Sequence, residues 1–395
     1  MRLSADTSDA IKLVSLWCSV LVCLNHTYTL DVPYAAVAEQ PYAFATFFIQ
    51  DLVKHGVVRI STPFFFLVAA YLLFAGLVRH EGRVAMAVPL STGYRGEVAK
   101  RVHSLAVPFI LWAAWSFALL VGLQQLPQLR AMFTTPLLSE PLGVIVERLL
   151  WNPVAHPLWF LRDLFLLTLV WPLAWLLLRR RWLGLAVIAA LCVPWFVWWE
   201  VRETRAVVFF ALGAWLAIHR PAIPQPASWG LIASGLVWMS GAALHALHVV
   251  RTGATDPVYN NLTIIAGLVT VWFGTRRLLP WLRRPWLLRL STYTFFIYVA
   301  HEPIATFARK AVMLALGTDP LMRFTAWIVA GTITFTVCLA MAFVLRRWLP
   351  SMHARLTGGR GGRRSEADDG TRLRTWVSPG GWTRSSDTTS SRAGS

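Results

Sequence analysis

The chain has 395 residues, of which 56% are hydrophobic and only 14% charged, with a mean hydropathy of +0.54. Soluble globular domains are about a quarter charged, so an ordinary soluble fold is excluded. A net charge of +18 would suit a nucleic-acid binder, but most of the basic residues lie in short loops between apolar runs and in the C-terminal tail, where they orient a membrane protein. Lipid is the expected surround and nucleic acid is not an expected partner. The 21 Trp and 22 Phe fit the aromatic belts of a bilayer interface.

In chain order, the N-terminus MRLSADTSDAIK lacks a cleavable basic–apolar–small pattern, so the first apolar run reads as a retained helix. Ten runs approach the roughly 20 residues needed to cross hydrocarbon: 11–30, 57–78, 103–122, 158–178, 183–199, 205–219, 228–248, 259–275, 291–309 and 324–345. With ten spans, the Lys- and Arg-rich loops 79–102, 179–182, 220–227 and 276–290 share one side with both termini. The positive-inside rule then places both termini in the cytoplasm. The expected fold is an all-α integral membrane protein of about ten transmembrane helices, with one transmembrane domain over 1–350. Beyond Pro350 the composition turns to Gly, Arg, Ser and Thr, so 351–395 is expected to be a disordered basic cytoplasmic tail. Cys18, Cys23, Cys192 and Cys338 all fall within apolar runs, without metal or disulfide spacing.

Polar residues interrupt four of these runs. With the sidedness above and about 1.5 Å of rise per residue, His26, Arg59, Arg162 with Asp163, and His301 with Glu302 all fall in the outer half of the bilayer. Charge at that depth costs several kcal/mol and tends to face a bundle interior or a water-filled cavity. Arg162 and Asp163 are adjacent, about 100° apart on a helix, and each is expected to need a partner elsewhere. The plain readings are that Arg59 and Arg162 snorkel to headgroups and that a lone histidine near a helix end is an interface residue. His245 and His248, one turn apart, have no companion ligand nearby and read as packing, so no metal site is expected. The HTYTLD string (26–31) has an H-x4-D spacing that arises readily by chance and puts its two ends on different helix faces. On the cytoplasmic side, Arg95, Lys100, Arg101 and His103 cluster where the third run begins. They serve as positive-inside anchors or as a cradle for the phosphates of an anionic donor.

Several strings together resemble the acyltransferase 3 family of bacterial membrane O-acyltransferases. They are His26 near the end of the first run, RISTPFFFLVAAY (59–71), KRVHSLAVPFILW (100–112), LWFLRDLF (158–165), FFALGAWLA (209–217) and LSTYTFFIYVAHEP (290–303). Their order and spacing agree across about residues 9–347. The chain departs from the family pattern at Ser15, where a basic residue usually stands and Lys12 is one turn earlier. It departs again at Ser104, where a second Arg is usual after Arg101, and at Ala69-Ala70, usually a Ser-Gly pair.

The resemblance implies a bacterial inner-membrane enzyme that moves an acyl group, most often acetyl, from cytosolic acyl-CoA to a sugar hydroxyl of an envelope polysaccharide or its lipid-linked precursor. Acetyl-CoA would be a co-substrate and no cofactor would stay bound. Polysaccharide-assembly proteins are further expected partners. On that reading His26 is the base or acyl carrier, and Arg59 or Arg162 stabilises the oxyanion. Asp163 or Asp31 orients an imidazole, and His301 is a second-rank catalyst. Arg95, Lys100, Arg101 and Lys12 hold the donor. The base and the donor phosphates would lie about 20 Å apart along helices of this length. The alternatives are a transporter of lipid-linked sugars or acyl groups without chemistry, against which no internal repeat is visible, and a structural partner in an assembly complex.

Overall fold

The computed structural model describes residues 4–81, 90–127, 136–197, 202–221 and 223–360. Among them every regular element is helical. Helix α1 (Ala5–His26) begins on Ser4, whose Oγ accepts from the Thr7 amide at 3.2 Å, the cap a serine supplies to an otherwise unpaired N–H. It starts six residues before the expected run and ends on His26, where Thr27 leaves helical geometry. Helix α2 (Ala43–Asp51) continues through a π-helical stretch, Leu52–Val57, and a 3-10 turn into α3 (Ser61–Glu81). Helix α4 (Leu90–Arg101) passes through a second π stretch, Val102–Ala106, into α5 (Val107–Gln124). After the short α6 (Leu142–Leu150), α7 (Trp159–Leu169) and α8 (Trp171–Leu178) meet at 62°. Pro172 sits at that joint and cannot donate the bond that would continue α7.

The rest of the chain is α9 (Arg181–Val197), α10 (Arg202–His219), α11 (Ser228–Thr252), α12 (Pro257–Leu282), α13 (Pro285–Leu290), α14 (Thr294–Leu316), α15 (Pro320–Trp348) and α16 (Pro350–Leu356). Each of the ten anticipated runs falls largely on helical structure: 11–30 overruns α1 by four residues, 158–178 is divided between α7 and α8, and the last two residues of 183–199 lie outside the described residues. By length and apolarity, however, six helices qualify as spans, or seven if the bent α7–α8 pair is one. Helix α9 is too short, α10 carries Arg202, Glu203 and Arg205, and α14 carries Glu302, Arg309 and Lys310. The described chain is a multi-pass membrane protein with six or seven helices long and apolar enough to span, and the other three of the ten expected fall short on length or charge.

The helix ends define two poles. At one, Arg283 after α12 hydrogen-bonds Asp6 and reaches Asp9 at 2.9 Å, so the end of α12 meets the start of α1. At the other, Arg323 at the start of α15 donates to the Thr29 carbonyl at 2.8 Å and to Asp31 at 2.7 Å, just past the end of α1. Successive long helices therefore alternate in direction around α1. Packing is closest where α10 crosses α3: a Cβ on Gly213 would lie 2.1 Å from the Leu67 carbonyl oxygen, so only glycine lets the backbones approach this far. An apolar groove of about 500 Å³ between α1 and α12, lined by Leu13, Trp17, Val20 and Val271, contains none of the polar candidates.

The domain boundary expected at 350 falls inside ordered structure. Helix α16 follows at once, His353 is buried, and Trp112 Nε1 donates to the Leu356 carbonyl at 3.1 Å. Residues 361–395 of the expected tail lie outside the described residues.

Candidate functional site

The last turn of α1 is pinned from α15. Trp327 Nε1 donates to the Leu24 carbonyl at 2.8 Å, and Thr27 Oγ1 donates to the Cys23 and Trp327 carbonyls at 3.1 and 3.3 Å. His26 therefore projects from a rigid terminus. Facing it is a break in α14. Pro303 has no amide hydrogen and disfavours helical geometry in the residue before it, and Glu302 leaves the helix at φ −101° and ψ 131°. The break turns the carboxylate towards α1, with Glu302 Oε1 3.7 Å from His26 Nδ1. Thr306 Oγ1 donates to the two carboxylate oxygens at 3.2 and 3.0 Å.

His301 completes the group, its ring centroid 4.8 Å from that of His26. Its Nδ1 is 2.5 Å from the Tyr298 carbonyl. A carbonyl only accepts, so Nδ1 carries the proton and Nε2 of the neutral ring keeps its lone pair. That Nε2 is buried and makes no hydrogen bond within the described residues. The Tyr298 hydroxyl in turn donates to the Pro157 carbonyl at 2.5 Å. The turn before α7 and the Phe160 ring, 5.3 Å from that of Tyr298, thus form the wall behind His301. The structure brings His26 and His301 together from the two motifs. The sequence sets Glu302 at the depth of His301 but gives it no role; its place just before a mid-helix proline is the signal that it could turn towards another helix.

Arg162 and Asp163 do pair with each other, against expectation. Arg162 Nε and Nη2 lie 2.7 and 2.6 Å from Asp163 Oδ1. The arginine stem is long enough to fold back across the angle between neighbours. The same guanidinium donates to the Trp151 carbonyl, lies 4.3 Å above the Trp151 ring and is 3.5 Å from Glu203 Oε1. Both residues are 6% exposed, so they tie the start of α7 to α6 and α10 rather than reaching a headgroup.

Arg59 belongs to a second polar cluster on α2 and its π stretch. Its Nη2 donates to His55 Nδ1 at 3.0 Å, and His55 Nε2 is 3.7 Å from Asp51 Oδ1. Asp51 accepts from the Tyr28 hydroxyl at 2.6 Å, and the Lys54 ammonium sits 3.5 Å over the Tyr28 ring. Burial first, then the Asp51 carboxylate, raises the Tyr28 phenol above its ordinary range and keeps it a donor. The two clusters adjoin through residues 26–28: Arg309 Nη1, from α14, donates to the Tyr28 carbonyl at 2.8 Å, and Lys54 lies over the Tyr28 ring two residues beyond His26. His245, fully buried, stands 5.7 Å from His55 ring to ring. No set of three His, Cys, Asp or Glu among the described residues is grouped to hold a metal. Asp31 is committed to Arg323 at 2.7 Å.

The basic cluster at the foot of α5 lies at the other pole. Lys100 and Arg101 share Glu97, at 2.5 and 3.5 Å, and Arg95 is exposed. Lys12 is not among them; it pairs with Asp9 at 3.0 Å. Phe295, whose ring lies 4.0 Å from the Arg360 guanidinium, precedes His301 by six residues of one helix, about 9 Å of rise.

This geometry can be set beside known proteins. The chain matches the acyltransferase 3 domain, described as an acyltransferase domain, over residues 9–343. It is 27% identical over 338 residues to the succinoglycan biosynthesis protein ExoH of Rhizobium meliloti (strain 1021), covering 81% of this chain and 84% of that protein. No solved structure matches it. The matched stretch contains every helix that builds the site, and the chain belongs to the acyltransferase 3 family of membrane acyltransferases.

Proposed function

We propose that the protein is a bacterial inner-membrane O-acyltransferase, with cytoplasmic termini, that transfers acetyl from acetyl-CoA to a sugar hydroxyl of an exopolysaccharide or its lipid-linked precursor. The observation that carries this reading is the His26–Glu302–His301 group, assembled from two helices inside a membrane acyltransferase. The resemblance to a succinoglycan biosynthesis protein supports the polysaccharide acceptor. Family membership favours an enzyme over a transporter without chemistry.

In this mechanism His26 accepts the proton of the sugar hydroxyl at Nε2 while Glu302 faces Nδ1 and stabilises the imidazolium. The hydroxyl oxygen attacks the thioester carbonyl, the C–O bond forms, the C–S bond breaks, and the proton passes to the departing thiolate. His301, with a buried lone pair on Nε2, keeps the His26 ring in place and can take the same proton. Lys54 and Arg309, both held at Tyr28 two residues after His26, supply positive charge beside this chemistry and support the oxyanion or an anionic group of the acceptor. Arg59 holds the cluster that presents Lys54. Arg162 and Asp163 position the wall behind His301.

Loss of a general base costs about 10²–10⁴-fold in rate. His26→Ala is expected to abolish transfer of labelled acetyl from acetyl-CoA to polysaccharide while the protein remains at wild-type abundance in the membrane. Wild-type acetylation by that variant would refute the assignment. Hydrolysis or transfer by the purified wild type separates it from the transporter reading.

A further inference from the structure

The segment after α15 folds back onto the basic pole. Helix α16 ends at Leu356, and Gly358 and Gly359 follow with φ of +60° and +79°. A Cβ on Gly358 would lie 2.6 Å from both Cα and the carbonyl oxygen of Ser104, so glycine is needed for the conformation and for the approach. The strap is held elsewhere by the bond from Trp112 to Leu356 and by the His353 ring, stacked on Phe296 at 5.7 Å and 8°.

This fold-back delivers one arginine to one place. Arg360 Nη1 donates to the Ser104 carbonyl at 2.6 Å and to the Thr357 carbonyl at 3.2 Å, and its guanidinium lies 4.0 Å above the Phe295 ring. Arg101 is on the adjoining turn, with its buried Nε unbonded within the described residues. Burial first, then the neighbouring Arg101, pushes the Arg360 guanidinium down to about 10. Glu97 is already shared by Lys100 and Arg101, and among the described residues Arg360 has no carboxylate partner. Two guanidiniums at a half-buried π turn, one on a carboxylate it shares with Lys100 and the other on carbonyls alone, form a site that an anion would complete.

We propose that Arg360, carried on the C-terminal strap, and Arg101 form a two-arginine phosphate socket at the foot of α5 that anchors the phosphates of a nucleotide-containing thioester. Arg360 thereby places a guanidinium over Ser104 from 256 residues away in sequence. The inference rests on the reading that acyl-CoA is the donor. The socket lies beside Phe295, so a bound thioester would have its phosphates about two helical turns from His301.

The test is steady-state acetyl transfer by the full chain in nanodiscs of neutral phosphatidylcholine, with acetyl-CoA as donor. A charged hydrogen-bonding contact is worth about tenfold to a hundredfold in affinity. Arg360→Ala is expected to raise KM for acetyl-CoA by that factor with little change in kcat, and Arg360→Lys to recover part of it. Ser104→Arg in the Arg360→Ala background should recover most of it, by placing a guanidinium in the same spot from α5. An unchanged KM in Arg360→Ala, or a loss that neither Arg360→Lys nor Ser104→Arg relieves, overturns the socket. So does an effect that appears only in phosphatidylglycerol nanodiscs, which would assign the site to a lipid headgroup. Failure of the wild type to use acetyl-CoA at all would instead overturn the donor reading on which the socket rests.

Discussion

Glu302 and Asp163 are both acids set among apolar residues next to a basic side chain, yet the structure gives them different work. Asp163 neutralises the guanidinium beside it, whereas Glu302 faces an imidazole on another helix. Two substitutions separate these situations. Glu302→Gln keeps the shape and the Thr306 contact but removes the charge opposite His26 Nδ1, so transfer should fall by about 10- to 100-fold with thermal stability near wild type. Asp163→Asn leaves Arg162 buried beside a neutral amide, and breaking a buried pair in this way costs about 3–5 kcal/mol. Its expected signature is loss of folded protein in detergent-based thermal denaturation, with the residual folded fraction retaining much of its turnover. Equal loss of turnover per folded molecule in the two variants would place Asp163 in the chemistry.

Among the elements, the interruptions matter more than the regular helices. Two π stretches, Leu52–Val57 and Val102–Ala106, stand beside Arg59 and Arg101, and the break at Glu302 stands between the catalytic candidates and the rest of α14. π stretches occur often at functional sites because the extra residue re-aims the side chains that follow. The contact of α3 with α10 is the rigid counterpart. Gly213→Leu would drive a side chain into the Leu67 carbonyl; overpacking of this kind costs about 1–3 kcal/mol. It should lower the midpoint of thermal unfolding while leaving KM for acetyl-CoA unchanged in the protein that remains folded. The glycine was visible in FFALGAWLA, but its partner was not, because a close backbone approach has no local sequence signature.

For the molecule as a whole, the two poles make an orientation test direct. Asp6, Arg283 and Arg360 belong to the pole with Lys100 and Arg101, and Asp31 and Thr318 belong to the other. Single cysteines introduced at Arg284 and Arg355 should react with membrane-impermeant maleimide only in inverted vesicles. A cysteine at Thr318 should react in intact cells. The reverse pattern would turn the donor pole outward and remove its access to cytosolic acyl-CoA.

The sequence by itself determined that the chain is an all-helical membrane protein, because apolar runs of spanning length admit no other hydrogen-bonded backbone in lipid. It also marked His26, Arg162 and His301 as residues to explain, since each is a polar residue within an apolar run, and Arg101 as part of a basic cluster at the start of one; their strings carried the family resemblance. Only the tertiary structure decided which polar residues meet. His26 and Glu302 are joined by a break in α14, and Arg162 closes on its own neighbour. Arg360, within what composition marked as tail, comes to rest on Ser104. Hydropathy records how much each segment prefers lipid to water, but the direction a side chain takes and the partner it finds depend on helix crossings, kinks and turns made with residues far away in the chain.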